Sequence, residues 1–235
     1  MNIALIVAAG SGTRMGNVDR PKQFLPVCGK PLLMHTIQAF QNHEEVDAII
    51  IVTNPDYFNP VEDWAIQYGL NKVKSIVAGG KTRQASVYNG LKAAEKLISS
   101  NDDIILIHDA ARPLVSQKII SENIAMCQKY GAVDTVIKSK DTIIKSKDNE
   151  SINDILNRDE IYQTQTPQTF RYAIIRDAHD KARLKEIPNV TDDAKLVLSM
   201  GVDVRLVEGS VNNFKVTTMD DLKLLEALLK INEEK

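Results

Sequence analysis

Cysteine is scarce in this 235-residue chain, and neither sign of charge is in excess. Only Cys28 and Cys127 are present. Two thiols are too few for a disulfide scaffold and point to a reduced, cytosolic setting. Basic residues number 29 and acidic ones 31, a formal net charge of −2. A general nucleic-acid coat or a polybasic membrane binder needs surplus cations, so neither nucleic acid nor membrane is expected as a partner. No apolar run approaches the ~20 residues of a membrane span. The opening MNIALIVAAG has no charged region ahead of its short apolar run, which predicts a strand rather than a signal peptide. Glycine (11) and proline (8) are too few for a collagen-like or low-complexity chain. These exclusions leave a soluble cytoplasmic globule, long enough to bury a core unaided.

Short runs rich in Ile and Val recur at Ile3–Val7, Ala48–Val52, Val73–Val77, Ile104–Ile107, Ala132–Ile137 and Val202–Val207. Several lack alternation, as strands buried on both faces do, so they predict a largely parallel sheet covered by helices. Helical periodicity lies between them, over Leu32–Phe40, Arg83–Leu97, Ile119–Cys127 and Leu222–Ile231. Strands alternating with helices imply an α/β fold of βαβ units with right-handed crossovers. There is no internal repeat and no clean linker, so residues 1–235 read as a single domain. The rhythm breaks between Asp141 and Thr166, where turn formers replace helix and Thr142–Lys145 and Ile161–Gln165 predict short strands. An excursion of that size is usually functional, or is an arm that packs on something.

Chemistry concentrates after the first strand, in Ala8-Ala9-Gly10-Ser11-Gly12-Thr13-Arg14-Met15-Gly16 and the following Arg20-Pro21-Lys22-Gln23-Phe24. A glycine-rich turn at the end of a parallel strand lets backbone N–H groups approach phosphate oxygens. Arg14 and Lys22 flank the turn and can bind non-bridging oxygens. A dinucleotide fingerprint fails at Met15, and a Walker loop fails because Pro31 follows Gly29-Lys30. A nucleoside triphosphate, held along its phosphates, explains two cations beside one loop.

Further motifs follow in order. Gly79-Gly80-Lys81-Thr82-Arg83-Gln84-Ala85-Ser86 links a strand to a helix N-terminus, a second polar cradle. His108-Asp109-Ala110-Ala111-Arg112-Pro113 puts a carboxylate just past a buried strand, where α/β sheets bind ligands. Beside a triphosphate, Asp109 suits Mg²⁺, a hard oxygen-seeking cation. Arg112 either pairs with Asp109 or meets a second substrate, and His108 reads as a satisfied core histidine. Thr191-Asp192-Asp193-Ala194 heads a helix with Thr191 as the expected N-cap.

The run A-A-G-S-G-T-R-M-G with P-K-Q-F resembles the opening of the sugar-nucleotide-type nucleotidyltransferases, specifically the cytidylyltransferases that act on polyol phosphates. The resemblance covers essentially the whole chain. It implies a Rossmann-like three-layer, mostly parallel sheet of the nucleotide-diphospho-sugar transferase type, with a protruding β-arm over residues 139–166. It also implies CTP as nucleotide, a polyol phosphate as acceptor, a divalent cation and a homodimer through the arm. By the same resemblance Ala8, Ala9, Gly10, Gly12, Thr13, Gly80, Arg83, Ser86 and Asp109 hold the nucleotide. Arg14, Lys22 and Lys215 are the catalytic cations. Arg112, Thr142, Thr166 and Thr191 line the acceptor pocket, and Arg158 reaches into the partner's site.

Two branches of that family differ in acceptor. Thr82–Gly90, His108–Arg112 and Thr191–Ala194 look like the branch acting on 2-C-methyl-D-erythritol 4-phosphate. Gly131–Val136 and the stretch from Tyr162 to Gln168 look more like the branch acting on ribitol 5-phosphate. The chain also lacks the proline and the lysine (Ile144 here) of the first branch's P-V-x-D-T-I-K element. The balance favours methylerythritol phosphate, with ribitol phosphate as the alternative. A non-catalytic nucleotide-binding module is the distant alternative; such a relative should have lost one of Arg14, Lys22, Asp109 or Lys215, and all four are present.

Overall fold

The computed structural model describes residues 1–10, 20–185, 190 and 192–233. Seven strands form one sheet. In chain order with the helices they are β1 (Asn2–Val7), α1 (Leu32–Gln41), β2 (Ala48–Thr53), α2 (Phe58–Gln67), β3 (Val73–Ala78), α3 (Arg83–Ala94), β4 (Ile104–Asp109), α4 (Gln117–Tyr130), β5 (Ala132–Lys138), β6 (Tyr162–Arg171), α5 (Tyr172–Leu184), α6 (Asp193–Leu198), β7 (Arg205–Glu208) and α7 (Met219–Glu233). The sheet order is β7-β5-β6-β4-β1-β2-β3. Only β6 runs against the others.

The unalternating apolar runs behave as expected. Every residue of β2 and β4 is buried, because helices cover both faces. Leu33, Ile37 and Phe40 of α1, Val61 of α2 and Ile120 and Ile124 of α4 pack on one face. Val87 and Leu91 of α3, Ile175 of α5 and Leu196 of α6 pack on the other. Helix ends obey local chemistry. Thr82 and Ser116 each accept a backbone N–H three residues on, starting α3 and α4. Gly131 closes α4 in the left-handed region at φ 86°.

The structure departs from the expectations at four places. Helices α2 and α5 were not foreseen. Val61 is the one buried residue of α2, while α5 buries its face largely with Ala178, His179 and Ala182, which carry little hydrophobic signal. The stretch Ile161–Gln165 is not a short arm strand: residues 162–171 form β6, inserted between β4 and β5. What remains of the excursion is a hairpin of two-residue strands, Ile144–Lys145 against Asp154–Ile155. Finally, the N-cap of α6 is Asp192, whose carboxylate accepts the Ala194 N–H. Thr191 lies outside the described residues.

The chain crosses from β3 to β4 on the far side of β1. Strand order therefore reverses between β1 and β4, and open α/β sheets bind ligands at such a point.

Candidate active site

A cleft of about 470 Å³ opens at the C-terminal ends of β1, β3 and β4. It is lined by Ala8, Ala9, Gly10, Lys22, Gly80, Arg83, Ser86, Asp109 and Lys215, all marked out in the sequence. Arg14, Gly12, Thr13 and Thr191 fall outside the described residues. Thr142 and Arg158 are exposed on the 139–161 segment and do not line this cleft. Arg158 donates to the Lys140 carbonyl at 3.3 Å.

The backbone is brought together by close contacts. Ala8 N–H donates to Val52 O at 2.7 Å and Gly79 N–H to Thr53 O at 2.8 Å, extending β1 and β3 past the sheet. A Cβ on Gly79 would overlap the Ala9 methyl, so this position has to be glycine for the two loops to meet. The Gln23 amide donates to Ala8 O and Gly10 O at 2.6 and 2.9 Å. It ties the first loop to the segment that carries Lys22. The second cradle is pinned by Ser86, which accepts the Gly80 N–H at 3.0 Å and donates to Thr82 O at 2.9 Å.

Asp109 is the centre of charge. Its Oδ2 lies 2.7 Å from Lys215 Nζ and 3.9 Å from Arg112 Nε, and its Oδ1 lies 3.8 Å from Arg83 Nε. Burial alone would push this carboxyl up; Lys215, Arg83 and Arg112 outweigh burial and hold it well below the usual carboxylate range. Arg112 lies beside Asp109, which leaves its expected role toward a second substrate open, and it also donates to Asn213 O at 2.8 Å. The 212–217 stretch is stitched down by that bond, by Val216 N–H to Ala111 O and by Lys22 Nζ to Val216 O at 2.6 Å. That stitching aims Lys215 at Asp109.

His108 is wholly buried. Its Nε2 donates to Arg112 O at 3.0 Å, and its Nδ1 accepts from the Thr166 hydroxyl at 3.1 Å. Burial drives its pKa down to about 4, so the ring is neutral and both nitrogens are occupied, as expected for a core histidine. Thr166 also accepts the Asp109 N–H at 3.1 Å. Its hydroxyl is spent behind Asp109 and it is not among the cleft-lining residues.

Sequence reasoning missed a second polar layer. Asp134 on β5 accepts from Thr164 at 2.9 Å and from Gln168 at 3.0 Å. Gln168 also donates to Asp192 and accepts from Asp193 N–H. Burial pushes the Asp134 carboxyl up to about 7, and the negative charges of Asp192 and Asp193 add to this. Its signal was a charged residue inside a mostly apolar run, Gly131 to Ile137.

One carboxylate in a cleft, ringed by cations and reached by two loops of backbone, can hold a polyphosphate and offer oxygen to one hard metal ion. Comparison with known proteins agrees. Residues 2–231 match the family model for 2-C-methyl-D-erythritol 4-phosphate cytidylyltransferase. The Clostridium botulinum (strain Langeland) protein of that name is 44% identical over 97% of both chains. The ribitol-5-phosphate cytidylyltransferase of Streptococcus agalactiae serotype III is 36% identical over 99% of this chain and 97% of that one. The crystal structure of 4-diphosphocytidyl-2C-methyl-D-erythritol synthase from Anaerococcus prevotii superposes with TM-score 0.83 at 32% identity, covering 97% and 96% of the two chains. The chain belongs to the 2-C-methyl-D-erythritol 4-phosphate cytidylyltransferase family and is a nucleotidyltransferase.

Proposed function

We propose that this enzyme transfers the cytidylyl group of CTP to 2-C-methyl-D-erythritol 4-phosphate, releasing pyrophosphate. The observation that carries the reading is Asp109, held ionised among Lys215, Arg83 and Arg112 at the mouth of two backbone cradles. An oxygen of the acceptor phosphate attacks the α-phosphorus in line. A new P–O bond forms as the bond to the pyrophosphate oxygen breaks. The nucleophile is already an anion, so no general base is needed, and His108 is occupied on both nitrogens. Catalysis is then mostly positioning and neutralisation of charge.

In this reading Ala8, Ala9, Gly10, Gly12, Thr13, Gly80, Arg83 and Ser86 hold the nucleotide. Arg14 and Lys22 neutralise the triphosphate and the departing pyrophosphate. Lys215 and Arg112 meet the acceptor phosphate with Thr191, while Thr166 fixes the backbone beneath it. Asp109 suits Mg²⁺. Among the described residues no group of three or more His, Cys, Asp or Glu could hold a metal, so one carboxylate with phosphate and water oxygens fits the habit of this ion. Bound there, Mg²⁺ would neutralise phosphate charge.

The proposal includes a homodimer. Ile144, Ile152, Ile155 and Tyr162 are exposed on and beside the hairpin, and a second copy of the chain is an economical cover for them. Arg158 and Thr142 would then complete the partner's acceptor site. The unpaired Cys28 and Cys127 fit a cytoplasmic setting. No described helix is long and apolar enough to cross a membrane.

The test is pyrophosphate release from CTP and Mg²⁺, with methylerythritol 4-phosphate, ribitol 5-phosphate and glycerol 3-phosphate side by side. The first acceptor should give the highest kcat/KM. Preference for ribitol 5-phosphate would move the enzyme to the other branch, and no release with any acceptor would defeat the reading.

A further inference from the structure

Behind the cleft lies a buried carboxylate with no substrate-facing task. Asp193 opens α6 at 1% exposure. Its Oδ2 lies 2.5 Å from Arg83 Nη1, its Oδ1 lies 3.0 Å from His179 Nε2, and its N–H donates to Gln168 Oε1 at 3.1 Å. His179, on α5, is wholly buried, and its Nδ1 has no partner among the described residues. The ring's single hydrogen bond therefore goes to Asp193, with Nε2 as donor. Arg83 on α3 and His179 on α5 hold the two carboxylate oxygens, while Gln168 on β6 fixes the backbone beneath them.

Arg83 consequently faces two carboxylates on different atoms. Asp193 holds the Nη1 end, and Asp109 sees the Nε edge at 3.8 Å. A guanidinium is a rigid planar fork, so holding one tine sets the plane of the whole group. Asp109 Oδ2 meanwhile keeps its 2.7 Å contact with Lys215. Without Asp193, the nearest anion for Arg83 is Asp109, and two parallel N–H···O bonds to it become the favoured arrangement. That collapse would draw the guanidinium off the cleft wall and crowd Lys215.

We propose that Asp193, braced by His179, is a positioning residue that holds Arg83 in place against the nucleotide and keeps Asp109 from capturing it. The inference rests on CTP being the ligand of this cleft. Its weight comes from the charge of Asp193 rather than from its bulk, so Asp193→Asn is the decisive variant. The amide can still accept from His179, but it turns a neutral group towards Arg83.

The experiment measures CTP binding by calorimetry without acceptor, steady-state KM for each substrate, and Tm. Asp193→Asn should weaken CTP binding and raise the CTP KM about tenfold, the scale of one charge-assisted hydrogen bond. The KM for the acceptor should stay within about twofold on the same scale. Arg83→Lys, which cannot bridge two carboxylates, should weaken CTP to a similar degree and serves if the first variant fails to fold. A lowered Tm with unchanged CTP affinity in Asp193→Asn would make Asp193 merely structural. Wild-type affinity in Arg83→Lys would equally overturn the proposal. A wild-type protein that binds no CTP would defeat the reading of the cleft itself, whereas binding by the wild type with no change in the variants defeats only this inference.

Discussion

Around Asp109 the chain answers its own charges. Lys215, Arg83 and Arg112 face one carboxylate, and Asp193 holds the far end of Arg83. The groups come from α3, the end of β4 and the loop after it, α6 and the stretch before α7, so the bonds join parts of the chain as far apart as residues 83 and 193 or 109 and 215. Along 139–161 the bonds are local. Asp148 is wrapped by Ser146, Glu150 and Ser151, Asn153 bonds Lys147, and Asn157 bonds Asp159 and Glu160. The apolar side chains Ile144, Ile152 and Ile155 stay exposed. The difference separates two ways of building a site. In the cleft, folding has already met the cost of fixing charges. The hairpin and the turn after it leave apolar side chains and Arg158 exposed, as the proposed arm acting on a second subunit would require.

The largest effect should come from breaking each half and then mixing them. Lys22→Ala removes a cation from the cleft and should cut turnover about 10²–10³-fold, with near-normal circular dichroism and Tm. Arg158→Ala should leave CTP binding intact and cripple use of the acceptor. If the hairpin works across a dimer, a dissociated and re-annealed equal mixture of the two inactive proteins contains hybrids with one intact site. Activity should then recover to about a quarter of wild type for random two-fold pairing. Recovery no greater than the sum of the separate mutants would show that Arg158 serves its own subunit or none.

A smaller effect separates two carboxylates within the same sheet. Asp109 is kept ionised by cations; Asp134 is met by neutral donors, Thr164 and Gln168, with Asp192 and Asp193 adding negative charge, and its pKa is pushed up to about 7 from an ordinary 3.8. Across that interval the native protein holds a proton that the unfolded chain has released. The Asp134 contribution to stability therefore falls as pH rises from about 4 to about 7. His108 slopes the other way. Its folded pKa is about 4 against an ordinary 6.5, so stability falls as pH drops through that window. Asp134→Asn can keep bonds to Thr164 and Gln168 and should remove the first slope alone. At pH 8 the variant should be more stable than wild type by on the order of a few kcal/mol, with a smaller gain at pH 5. Equal gains at both pH values in urea unfolding would mean that Asp134 is ionised in the native protein.

How far the sequence foretold these features follows the same division. Periodicity found β1 to β5, caught β7 in part through Val202–Val207, and found four of the helices, because most of these elements bury apolar faces, and burial is what periodicity records. It lost α5, whose buried face is mostly Ala and His, and it ended β6 at Gln165, because Thr166-Pro167-Gln168 looks like a turn. The cleft residues were legible because phosphate chemistry calls for Gly, Arg, Lys and Asp at loop positions next to strands. Asp193 and His179 were not, because their task is to hold Arg83, and nothing in local spacing says which distant side chain a carboxylate will meet. Thr166 was assigned to the acceptor, yet its hydroxyl is shared between Asp109 N–H and His108; only the register of β6 on β4 places it there.

The smallest test compares two N-caps of the same kind. Thr82 starts α3 at the cleft, and Ser116 starts α4 away from it; each accepts a backbone N–H at 3.1 or 3.2 Å. Replacing either with alanine should cost about 1 kcal/mol of stability. The functional consequences should differ. Thr82 lines the cleft, and its carbonyl accepts from Ser86, whose oxygen in turn receives the Gly80 N–H. Fraying at Thr82 therefore loosens the cradle, whereas fraying at Ser116 loosens only its own helix. Thr82→Ala should raise the CTP KM about threefold while Ser116→Ala leaves it unchanged, a difference near 0.6 kcal/mol. Equal KM values for the two alanine variants would mean that the cradle is held by Ser86 and the sheet without help from the cap, and that preorganisation at the cleft stops at the side chains touching the ligand.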